Sequence, residues 1–189
     1  MDFDYLYPSY KKAASKHLTA CRKILEKYQN IDIPNYVGWE IYYLSGYIIE
    51  CCCIYAIYKG TDWDENTRIN IIYSDRNTDR NSKEMIIDFE KTTHLTFSEK
   101  ARYNKTIEKY IKGHNITTYK EYLGEKYIDS DTPFPYVVDK IDNEVEALLD
   151  SWRPTIRYVM PTSEQKIASD TIRNLIKVCA EVYNFLDII

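Results

Sequence analysis

The chain is poor in the two residues that punctuate structure: 5 glycines and 6 prolines in 189 residues. Few tight turns can be built from them, which favours long helices. Nucleotide binding through a glycine-rich, phosphate-cradling loop is excluded, and no nucleophile elbow is present. Only 3 histidines occur, and no cluster of ligand-type residues surrounds them, so neither a metal nor any other cofactor is expected. The 5 cysteines, Cys21, Cys51, Cys52, Cys53 and Cys179, contain no CxxC pair and no disulfide framework. They are expected to be reduced core thiols of a cytoplasmic protein. Excess positive charge is also missing. The formal net charge is −4 with 29% charged residues, so a polyanion must be met by a local patch rather than by bulk electrostatics. The opening MDFDYLYPSY has no basic flank or cleavable signal, and no targeting segment is expected.

What is present is one long apolar run, Val37 to Lys59, in which only Glu40, Ser45, Glu50 and Lys59 are strongly polar. A helix apolar nearly all round must be covered on most sides, which makes it the centre of a helical domain. A membrane span has the same length. Tyrosines through its middle and a carboxylate at mid-depth argue against that. Tyr43, Gly46, Tyr47, Glu50 and Ile54 share one stripe. Glu50 is therefore buried and needs an Arg, His or Tyr from another helix. A structural contact that fixes helix register is the preferred role.

Around this run, Tyr10, Ala13, Ala14, His17, Cys21, Ile24, Leu25 and Tyr28 keep a 3.6-residue period, predicting a helix over 9–29 with Ser9 as N-cap. His17 lies on its apolar stripe and reads as a hydrogen-bonded core residue. The short connection that follows predicts an antiparallel hairpin with the central helix. Residues 61–112 are rich in Asp, Asn, Thr and Arg and read as an insertion. Within it lie a short strand at 69–73 and helices at 82–91 and 98–112. Further helices are expected over 118–127 and 136–152. RPTIRYVMP reads as an extended link, and Thr162 with Gln165 as a capping box opening the last helix. The expectation is one all-α domain over 1–189, an up-and-down bundle of four to five main helices with a partly irregular insertion.

Three segments in the right order resemble one family. YYLSGYIIECCCIYAI is similar to the YLAGYAVECALKA stretch of HEPN-domain proteins. GHNITTYKEYL is similar to the His-containing segment that follows it. WRPTIRY, with the helix after it, is similar to their W-x-x-x-x-RY and final helix. The resemblance covers about 9–60 and 110–189. It implies a helical bundle, often a homodimer, in bacterial defence, toxin–antitoxin or RNA-processing systems, with RNA or nucleotide as ligand. A nucleotidyltransferase-type or other protein partner is also implied. Many members are metal-independent endoribonucleases with an Arg-x4-6-His motif, the His acting as acid or base and the Arg stabilising phosphate charge.

This chain departs from that motif. No arginine stands five to seven residues before His17, His94 or His114, and Ile54 occupies the place of the family's usual lysine. Lys109 precedes His114 by five, but lysine lacks arginine's bidentate fork. His114 with Lys109 is the candidate catalytic pair. Arg153, Arg157, Tyr158, Arg173 and Lys177 are the candidate phosphate- or RNA-binding residues. Each has a plainer reading: His114 as a cap of the next turn, Arg157 as the partner of Glu50, and Arg173 and Lys177 as a solvated helix face. The expected function is that of a non-catalytic RNA- or nucleotide-binding or regulatory component. The alternatives are an endoribonuclease using His114 and a protein-interaction module.

Overall fold

The structure is a computed structural model, and it describes residues 6–60, 65–66, 71–74, 84–87, 114, 116–127, 131, 133–135 and 141–189. Among these residues there are five α-helices: α1 Pro8–Glu26, α2 Asn35–Gly60, α3 Ile116–Tyr127, α4 Asn143–Ser151 and α5 Ser169–Phe185. The class is all-α, as the periodicity predicts. Within the insertion, β1 (Ile71–Ser74) pairs antiparallel with β2 (Glu84–Ile87), Ile71 opposite Ile87 and Ser74 opposite Glu84. The helix expected over 82–91 is therefore a strand at 84–87. The other insertion helix, 98–112, lies outside the described residues.

α2 organises the bundle. Ile41, Ile48, Ile49, Cys52, Cys53, Ala56, Ile57 and Tyr58 are fully buried, facing α1, α3 and α5 in turn. α2 is long and apolar enough to cross a membrane, yet 78% of its most apolar window is buried inside the fold. The α1–α2 hairpin is antiparallel: Tyr7 packs on Tyr55 and Tyr58 with ring centroids 5.3 and 6.0 Å apart, while His17 meets Tyr47 ten residues further along α1. α1 also runs against α5. Lys11 bonds Asp187 at 2.6 Å, and Arg173 at the other end bonds the carbonyls of Tyr28 and Ile31 at 2.9 and 3.0 Å. α2 and α5 run in the same sense, with Gly38 beside Ile172 and the Ser45 carbonyl beside the Cys179 thiol.

Local signals explain several boundaries. Pro8 occupies the first turn of α1, where a missing N–H costs nothing. Tyr7 is consequently the N-cap, and Ser9 lies inside the helix. α4 begins at Asn143 because the Asp142 carboxylate accepts from the N–H groups of Glu144 and Val145 at 2.9 and 3.3 Å. Thr162 and Gln165 do bond each other, at 3.1 Å from the Thr162 N–H. They close a turn rather than open α5, which starts at Ser169 with no side-chain cap. The link after Trp152 is not extended throughout, since Pro154–Tyr158 forms a short 3₁₀ helix. All five cysteines are buried and free.

Candidate functional site

Glu50 stands where the α2 stripe predicts, 5% exposed. Its partner is His114. The imidazole Nδ1 lies 2.6 Å from Oε1 of the carboxylate. The expected pairing of Glu50 with Arg157 is not formed: Arg157 is exposed and bonded elsewhere. The reason is positional. His114 immediately precedes α3, whose Tyr119 and Leu123 pack on α2, so the start of α3 reaches the mid-point of α2 before the 3₁₀ helix can. His114 itself takes φ 60°, the left-handed region in which histidine is enriched among non-glycine residues. That turn aims its ring back at α2 instead of along α3.

The imidazole is polarised by the carboxylate it meets. The Glu50 hydrogen bond raises the His114 pKa above its usual value, against the opposing effect of desolvation, and the negative charge of Glu50 adds to the rise. The second carboxylate oxygen, Oε2, is buried and has no hydrogen-bond partner among the described residues. An Nδ1–H held by a carboxylate fixes ring orientation and leaves Nε2 outside that bond. The His114 side chain is 40% exposed.

A wall of rings backs the pair. Tyr47 lies 5.1 Å from Tyr43, 5.0 Å from Trp152 and 6.4 Å from His114. Trp152 also packs on His114 at 6.4 Å. This is possible only because position 46 is glycine: an added Cβ would sit 2.0 Å from Trp152 Cε2. The indole thus lies directly on the α2 backbone, its Nε1–H donating to the Tyr43 carbonyl at 3.1 Å. The Tyr47 phenol is raised well above its usual pKa, first by burial and then by its hydrogen bond to the Tyr43 phenol; the nearby Arg157 charge opposes this. Arg157 in turn bonds the Tyr43 hydroxyl and, at 2.5 Å, the Tyr158 hydroxyl, with its guanidinium 4.6 Å over the Tyr158 ring. A relay of side chains therefore runs from Arg157 through Tyr43 and Tyr47 to the edge of the Glu50–His114 pair.

The other candidates are dispersed. Arg153 bonds the carbonyls of Asp150 and Trp152 and closes the end of α4. Arg173 is held by Asp170 at 2.8 Å and by the α1–α2 connection. Lys177 is exposed one turn further along α5. Lys109 lies outside the described residues. A cleft of about 770 Å³ beside Arg173, also lined by Asp32, Lys166, Ser169 and Asp170, is remote in sequence from His114. Its charges are largely met by each other, through Lys166–Asp32 at 3.9 Å and Arg173–Asp170. Periodicity missed Tyr43, Tyr47 and Trp152 as site residues. The available signal was Gly46, whose place in an otherwise bulky stripe marks a close approach.

Comparison of the chain with family models, curated proteins and solved structures returns no match.

Proposed function

We propose that the chain is a HEPN-like cytoplasmic protein that binds RNA or a nucleotide. It serves as a non-catalytic regulatory component of a bacterial defence or toxin–antitoxin type system. The observation that carries the reading is the Glu50–His114 pair beside the Arg157 relay. A buried carboxylate favours the cationic form of a part-exposed imidazole, and a guanidinium is presented on the far side of Tyr43 and Tyr47. Two cationic groups separated by tyrosines suit one or two phosphates, not a long duplex. The footprint is small, in keeping with a net charge of −4. Exposed Tyr158, Val159 and Met160 support a protein contact beside the same face, as a homodimer or with a nucleotidyltransferase-type partner. Sedimentation that gives a monomer at every accessible concentration, alone or with such a partner, would remove that part.

Anisotropy of a labelled single-stranded RNA across a salt series tests the reading. About two phosphate contacts predict a log–log slope near −1.4. Arg157→Gln should lower its magnitude by about 0.7. Binding that ignores both salt and Arg157 would count against it.

One observation favours a second reading, a metal-independent endoribonuclease. Because Glu50 engages Nδ1, Nε2 is the nitrogen free to exchange a proton with substrate. Cutting of a mixed RNA pool without metal that disappears in His114→Ala would establish it. An intact pool with wild type leaves the binding reading in place.

A further inference from the structure

We propose that Tyr119, a buried residue of α3, is a positioning residue of this site: it ties down the His114 turn so that the imidazole meets Glu50 and Nε2 is kept for the ligand. For the ligand alone, the inference rests on the binding reading above.

His114 needs such a tie. Its φ of 60° is disfavoured for any residue with a Cβ, and a backbone of that kind persists only where its surroundings hold it. The Glu50 contact holds the ring, at the far end of the side chain. It does not hold the backbone. The Tyr119 phenol does, because the His114 backbone hydrogen-bonds it. The donor is the N–H, the one donor a backbone residue offers. The spacing suits this bond. α3 starts at Ile116, so His114 stands two residues before the helix and Tyr119 is its fourth residue. Helices pair the same two places when an apolar contact fixes the angle at which the chain enters. Here a hydrogen bond joins them.

Tyr119 is itself firmly seated, at 1% exposure. Burial pushes its phenol well above the usual pKa, and the charges of Glu50 and Cys53 on α2 and Tyr10 on α1 add to the rise; the His114 bond opposes it. The hydroxyl therefore stays a neutral phenol, enclosed where α1, α2 and α3 meet. It holds the His114 backbone in the same frame as the buried carboxylate. The sequence hides this role because Tyr119 fits the apolar face of α3 as a leucine would.

Imidazole titrations of the whole chain by NMR, in wild type, Tyr119→Phe and Leu123→Val, test the proposal. Leu123 is fully buried one turn further from His114 on α3, so its variant loosens packing and leaves the tie in place. The titratable groups facing His114 among the described residues are Glu50 and Tyr47 of α2 and Tyr119 of α3. Of the effects on its pKa the Glu50 hydrogen bond is the largest, and it acts upward. In Tyr119→Phe that bond is made only part of the time, and the His114 pKa should fall toward its ordinary value. Binding of uridine 3′-monophosphate should weaken by up to about fivefold, the shift in competent population that one neutral hydrogen bond can hold. Leu123→Val should melt earlier yet keep the wild-type titration and affinity. A Tyr119→Phe titration like that of wild type overturns the proposal. An equal fall in Leu123→Val overturns it too, since Tyr119 would then be ordinary packing. If wild type binds no uridine 3′-monophosphate while Tyr119→Phe lowers the His114 pKa, the binding reading falls and Tyr119 stands as the residue that positions His114.

Discussion

Replacing Gly46 by alanine tests the packing that holds the site. The new methyl would lie 2.0, 2.1 and 2.2 Å from Trp152 Cε2, Nε1 and Cδ2, far inside contact distance. The obstacle is a rigid indole, so Trp152, which is fully buried, must leave its seat. Losing a buried tryptophan from a core costs about 3–5 kcal/mol. Its hydrogen bond to the Tyr43 carbonyl adds about 1 kcal/mol. Alanine returns about 0.5–1 kcal/mol as the better helix residue. The net loss is roughly 3–5 kcal/mol, a fall of about 10 °C or more in melting temperature for a chain of this size. Thermal unfolding followed by circular dichroism measures it. Gly38→Ala on the same helix is the control, because its methyl would meet only Ile172 at 3.7 Å, an ordinary contact. That variant should melt at or slightly above wild type. In a Trp152→Ala background, Gly46→Ala should become neutral or stabilising. A Gly46→Ala protein as stable as wild type would refute the seating of Trp152 on α2 and, with it, the wall behind His114.

Two further outcomes follow from ionisation. The folded pKa of His114 is raised above its unfolded value, so its contribution to stability is complete below about pH 6.5 and is lost as pH rises through the folded pKa. Denaturant unfolding of wild type and His114→Asn, a residue that tolerates the same backbone, should give a stability difference that shrinks from pH 5.5 to pH 9; a constant difference would contradict the ion pair. Burial pushes the Cys21 and Cys51 thiols up to about 12, and the other three cysteines are raised as well. At pH 8 only about one such thiol in ten thousand is a thiolate, so the native chain should resist a disulfide-exchange reagent that titrates all five cysteines once the chain is unfolded. Rapid labelling of the native protein would mean that the core opens readily.

The sequence made α1, α2 and the class of the fold readable because their apolar positions repeat with the helical period, and that period also buried Glu50. It could not identify the partner of Glu50. Stripe arguments say which face a residue occupies, whereas the choice between His114 and Arg157 depends on which distant segment docks nearer the middle of α2. The Thr162–Gln165 pair shows the same gap: Gln165 Oε1 accepts from the Thr162 N–H, but the pair closes a turn, and α5 waits until Ser169. Asp142 acts as a cap that the longer apolar period of 136–152 concealed. The site residues Tyr43 and Tyr47 were hidden by being tyrosines among many.

The parallel pairing of α2 with α5 joins backbone positions 134 residues apart, at Ser45 and Cys179, whereas the α1–α2 hairpin closes locally. Ring closure over so long a stretch is entropically dear and slow. During synthesis the hairpin therefore stands ready while the strip of α2 that α5 will cover, around Ile41, Ser45 and Cys52, faces water. A chain assembled in this order depends on holding an unfinished apolar surface out of aggregates until α5 has been made.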